Sequence, residues 1–94
     1  MFFYYSVKIE RVIEEFNQSD EYLNREYILN ISPEEILATL DDLVLSKDDF
    51  PHEIYNCYDL NENQIQKLRP FLTEEIYPDF DKYTYQLSCY EDRY

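Results

Sequence analysis

Tyr83-Thr84-Tyr85-Gln86-Leu87-Ser88-Cys89 alternates apolar and polar side chains at every step. Successive side chains of an extended strand point to opposite faces, so Tyr83, Tyr85, Leu87 and Cys89 share one side. This is the strongest strand signal in the chain, and it commits the fold to a half-buried sheet. After it, Glu91-Asp92-Arg93-Tyr94 reads as a polar tail that frays. Before it, Thr73 to Asp81 is acidic and broken by Pro78, a surface connection with Tyr77 and Phe80 partly anchored.

Upstream the apolar period changes from two to that of a helix. Asn61 with Gln64 three residues on makes a capping box, and Ile65, Leu68 and then Phe71 or Leu72 form the inward stripe. Pro70 stops this helix near Arg69. Ile54 to Tyr58 predicts a short strand, with Tyr55 and Cys57 on one side and Ile54, Asn56 and Tyr58 on the other. Ser46 to His52 is a charged loop closed by Pro51. In Ser32-Pro33-Glu34-Glu35, Ser32 caps, Pro33 fits the first helical position and Glu35 completes a second capping box. Ile36, Leu37, Leu40 and Leu43 or Val44 carry the stripe, so a helix is expected to about Val44, with Ala38, Asp41 and Asp42 outward.

At the start, Phe3, Tyr5, Val7 and Ile9 alternate as a strand. The pattern stumbles at Arg11-Val12-Ile13, where a bulge resets the face or the strand ends. Asn17 to Glu21 is a polar turn. Tyr22 to Leu29 resumes the strand pattern with Leu23, Tyr27 and Leu29 on one face, giving an antiparallel hairpin. The order ββαβαβ predicts an α+β fold: a single mixed or antiparallel sheet of about four strands, covered on one face by two helices. Residues 1–94 read as one domain.

Charge sets the next limits. The chain has 21 acids against 8 Lys and Arg, a formal net charge of -13 over 94 residues. With 45% hydrophobic residues, including eleven Tyr and six Phe, it is no disordered acidic tail. There is no glycine, which argues against phosphate-cradling glycine loops, and turns needing positive φ fall to Asn or Asp or are avoided. The cations are scattered among acids, which opposes direct nucleic-acid binding. No stretch approaches the ~20 apolar residues that span a bilayer, and the opening Met1 to Lys8 lacks a signal-peptide leader, so a cytoplasmic protein without membrane contact is expected.

No residue set stands out for catalysis. His52, the single histidine, sits in a polar loop with nothing to fix Ser46 or Asp48 against it. Paired acids such as Asp41/Asp42 arise freely among so many carboxylates. Cys57 and Cys89 lie in apolar runs and are expected as buried thiols, although a disulfide between them is open on sequence. Two thiols and one imidazole make a poor zinc set. The expectation is therefore no enzyme, no cofactor and no metal.

A binding protein remains. A charge of -13 exceeds the magnitude of ~2–8 that solubility needs. Carboxylates complementary to a basic cleft raise association rate and fix orientation. Tyrosines suit the desolvated centre of an interface. The candidate partner-binding residues are Asp41, Asp42, Asp48, Asp49, Tyr55, Tyr58, Glu74, Glu75, Tyr77, Asp79 and Asp81. An acidic regulatory module or a nucleic-acid mimic fits the same charge. Pairing through a free edge strand stays open, and with it the oligomeric state.

Four stretches carry a resemblance: Tyr5 to Glu10, Tyr58-Asp59-Leu60, Leu68-Arg69-Pro70-Phe71, and Phe80 to Leu87. Together they resemble a family of small bacterial immunity proteins from polymorphic toxin systems, including those of contact-dependent growth inhibition. The resemblance spans most of the chain and rests on core and turn positions. It implies an inhibitor of a cognate toxin domain without identifying the toxin; an RNase or DNase is expected on charge, because enzymes that bind RNA or DNA present basic clefts.

Overall fold

The structure is a computed structural model that describes residues 7–49 and 54–93. Four strands and two helices follow in the order β1 (Val7–Asn17), β2 (Leu23–Leu29), α1 (Pro33–Thr39), β3 (Tyr58–Asp59), α2 (Glu62–Leu68) and β4 (Tyr83–Arg93), with a 3-10 turn at Arg69–Phe71 between α2 and β4. All pairings are antiparallel and the spatial order is β2-β1-β4-β3. The first and last strands thus lie together at the centre. They pair without a break from Val7↔Arg93 to Asn17↔Tyr83.

This central pairing corrects three expectations. No bulge falls at Arg11-Val12-Ile13. Both Val12 and Ile13 are buried because a central strand uses both faces. The register shift lies instead between Glu15 and Phe16, opposite β2. It also takes Leu23 out of line with Tyr27 and Leu29, leaving Leu23 exposed. At the other end, Glu91 to Arg93 does not fray from the sheet, because β1 supplies ladder partners back to Val7. The alternation expected at Phe3 and Tyr5, and the expectations for Pro51, His52 and Tyr94, lie outside the described residues.

The helices cover one face. Ile36 and Leu40 from the α1 region, and Ile65 and Leu68 from α2, pack with Ile13, Tyr27, Leu29, Tyr85 and Leu87 of the sheet. Each fully buried aliphatic chain contributes roughly 1.5–3 kcal/mol. Both capping boxes form: Ser32 with Glu35 and Asn61 with Gln64. Pro70 ends α2 in the 3-10 turn as expected. In the following connection Ile76 is the buried anchor, Tyr77 is exposed, and Phe80 packs its ring at a tilt against Tyr85 with centroids 5.0 Å apart.

Helix α1 stops at Thr39, well short of Val44. Asp41 and Asp42 would sit at the negative end of the helix dipole, and no cation in the last turn offsets them. The chain turns there instead, with the Leu43 amide donating to the Leu40 carbonyl. Val44 is consequently 85% exposed rather than part of the stripe.

Among the described residues, two that are not glycine take the left-handed region: Glu21 at φ 63° and Ile54 at φ 52°. Neither is the Asn or Asp that a glycine-free chain is expected to place there. Glu21 closes the hairpin loop, its amide donating to Asn17 O at 2.8 Å. The left-handed conformation costs a residue with a Cβ about 1–2 kcal/mol. Glu21→Asn is therefore expected to raise stability by about 0.5–1 kcal/mol, read as a rise in the urea midpoint at constant slope.

Candidate functional site

The expected site residues separate into two acidic stretches on either side of α2. In the first, Asp41 and Asp42 belong to a turn and not to a helix face. Lys67 of α2 meets Asp41 at 3.3 Å, and the Gln64 amide donates to Asp42 at 3.2 Å. Asp48 is exposed and accepts from the Asn56 side chain at 2.9 Å. With Tyr58, Asp59 and Asn61, Asp42 and Val44 line a shallow groove of about 430 Å³ beside β3.

Asp49 and Tyr58 belong to the core of this loop rather than to its surface. The Asp49 carboxylate accepts from the Tyr55 amide at 2.8 Å, the Asn56 amide at 3.2 Å and the Tyr58 hydroxyl at 2.5 Å. The Tyr58 oxygen in turn accepts from the Ser46 amide at 3.0 Å. Burial, and then the Asp49 carboxylate, push the Tyr58 phenol above its ordinary range. Both residues are buried, and their bonds are made within the loop.

The same clamp corrects the expected strand Ile54 to Tyr58. Two amides that a ladder would use are donated to Asp49, and Ile54 is left-handed, so pairing is confined to Tyr58–Asp59. Tyr55 remains 45% exposed.

In the second stretch, Glu74 pairs with Arg25 of β2 at 2.8 Å, while Glu75 accepts from the Tyr77 hydroxyl. Tyr77 is 75% exposed. Asp79 organises the entry to β4: its carbonyl accepts from the Lys82 and Tyr83 amides, and its own amide donates to the Tyr85 hydroxyl at 2.9 Å. Asp81 is exposed. Of this group Glu75, Tyr77 and Asp81 present themselves most freely to solvent.

A third carboxylate centre went unread in the sequence. Glu15, buried on the helix-covered face, accepts from Asn24 at 2.7 Å, Tyr85 at 2.9 Å and, more distantly, Tyr27 at 3.5 Å. Burial first, and Glu15 next among the raising influences, hold the Tyr85 phenol far above its ordinary range. Burial and Glu15 raise Tyr27 as well. These phenols serve as proton donors to a buried carboxylate, a structural task that fits the tyrosine content.

The opposite, helix-free face was also missed. Glu14 stands directly across from Glu26 of β2. The Tyr90 hydroxyl donates to Glu14 and lies 3.3 Å from Glu26, while the Ser88 hydroxyl donates to Glu14. Tyr90 pairs in register with Glu10, so reaching Glu14 lays its ring across the Val12↔Ser88 row. That explains why Val12 is 1% exposed on a face without helices. The signal was the outward half of the alternation, acidic on β1 and β2, which became readable once those strands were known to be neighbours.

Cys57 and Cys89 are free thiols, and neither is buried as expected: Cys57 is exposed and Cys89 half-buried. Cys57 contacts Ser88 at 3.3 Å, whereas Cys89 donates to the Tyr55 carbonyl at 3.2 Å. Adjacent residues of β4 face opposite ways, so the two thiols serve different sides of the sheet. Burial raises the Cys89 thiol, which disfavours its thiolate form.

Among the described residues no group of three or more His, Cys, Asp or Glu could hold a metal ion, and no helix is long and apolar enough to cross a membrane. Neither a curated protein nor a solved structure matches the chain. Residues 10–88, from the middle of β1 to the middle of β4, match the domain of unknown function DUF7683, and the chain belongs to that family.

Proposed function

We propose that this domain is a cytoplasmic immunity-type inhibitor that binds the basic active-site cleft of a cognate toxin, an RNase or DNase, and occludes it. The observation that carries the reading is a net charge of -13 on a folded surface that also exposes Tyr22, Tyr55, Tyr77 and Tyr90. Carboxylates would meet the cations that a nuclease uses for phosphates, and tyrosines would supply the desolvated centre. Such an inhibitor needs no catalytic group of its own.

The test is purification of the tagged protein from its native cells at low salt, mass spectrometry of the retained partner, and a nuclease assay on the pair. A basic partner whose nuclease activity falls stoichiometrically supports the reading. Its affinity should drop by about tenfold or more between about 50 and 500 mM salt, chiefly through the association rate. Recovery of the bait alone from cells that express the toxin would sink the proposal. A partner that is a host nucleic-acid-binding protein, displaced by DNA or RNA, would favour the nucleic-acid-mimic reading.

A further inference from the structure

We infer that the helix-free face of the sheet is the docking surface, and that its occupant is a Lys- and Arg-bearing surface of a basic protein. The inference rests on the proposed reading of the domain as an inhibitor of a basic partner, and it moves the contact away from the acidic loops.

Three neighbouring strands build this face. Register places Glu10, Val12 and Glu14 of β1 beside Glu26 and Ile28 of β2 on one flank and Gln86, Ser88 and Tyr90 of β4 on the other. The helices occupy the opposite side, where Ile13, Tyr27 and Leu87 lie. Ile28 is 44% and Tyr90 42% exposed, which gives a half-open apolar and aromatic centre. Glu10, Glu26 and, beyond β4, Asp59 rim it. An apolar centre with a polar rim is the anatomy of a protein interface.

The charge arrangement favours a cationic occupant. Like charges directly across a strand pair are destabilising, yet Glu14 and Glu26 are opposed and share one phenol. An arriving guanidinium would relieve that repulsion, bind a carboxylate through two N–H groups and stack on the Tyr90 ring. A second acidic copy of this chain would meet repulsion instead.

The test is an amide-resolved NMR titration with a hexa-arginine peptide at about 20 mM salt, repeated on charge-reversed variants. Saturable shifts should concentrate on residues 10–14, 26–28 and 86–90. The double variant Glu10→Lys/Glu26→Lys should lose about tenfold or more in affinity, while Asp41→Lys/Asp48→Lys should change it by less than about threefold. Glu26→Gln gives an independent readout: removing one of two opposed carboxylates should raise Tm by about 1–4 °C while weakening the peptide. Shifts confined to residues 41–48 or 74–81, or spread evenly over all acidic segments, would overturn the docking face and leave the basic-partner reading standing. No saturable binding of either the peptide or a basic nuclease would overturn both.

Discussion

Asp49→Ala is expected to destabilise the domain by about 3 kcal/mol, with loss of order at residues 46–49 and 54–58. The carboxylate receives the Tyr55 and Asn56 amides and the Tyr58 hydroxyl in a buried position. Alanine leaves these donors without that acceptor, and each unsatisfied buried donor costs about 1–3 kcal/mol before water repairs part of the damage. A domain of this size has roughly 5–14 kcal/mol in total, so the loss is a large fraction. Asp49→Asn, which keeps one acceptor oxygen, should cost about half as much. Asp48→Ala, at an exposed neighbour with a single bond to Asn56, should stay within about 0.5 kcal/mol. Urea unfolding of the three variants decides the matter. Equal stability of Asp48→Ala and Asp49→Ala would show that the clamp does not hold the loop.

Alkaline unfolding is the second large effect. Burial raises Tyr27, Tyr58 and Tyr85, while Tyr90 is raised first by its bond to Glu14. A raised phenol binds its proton more tightly in the folded state than in the unfolded chain. Its stabilisation is therefore complete below the unfolded value of about 10 and declines as pH rises through the folded value. For Tyr85, which is 1% exposed, the slope is about 1.4 kcal/mol per pH unit above about pH 10. The other phenols add smaller amounts. Stability measured from about pH 8 to 11 should be flat and then fall steeply. Tyr85→Phe should be less stable at neutral pH, because Glu15 and the Asp79 amide each lose a partner, yet it should show a shallower alkaline decline. An unchanged slope in that variant would remove Tyr85 from the linkage.

These two effects explain where the candidate site was legible and where it was not. Acidic residues at exposed loop positions, such as Asp48, Glu75 and Asp81, were readable because a charge in a polar run stays in water. Asp49 differs from Asp48 by one step along the chain, yet one is buried by a clamp and the other faces solvent. Nothing local separates them, since the donors to Asp49 arrive from residues 55 to 58. Tyr58 looked available for the same reason.

Local chemistry did determine much of the architecture. The two capping boxes, Pro33 and Pro70 marked helix ends because these effects act within a few residues. The alternation from Tyr83 to Cys89 and the turn after Asn17 fixed a strand and a hairpin for the same reason, and the α+β class followed. Tertiary structure decided the rest. Only the pairing of the first strand with the last makes β1 central, buries Arg11 through Glu15, carries β4 on to Arg93 and opposes Glu14 to Glu26. These contacts join residues far apart in sequence, and their energy depends on which strands become neighbours. The acidic composition was therefore evident in the chain itself, but which carboxylates hold the fold together and which are left facing outward was settled by packing.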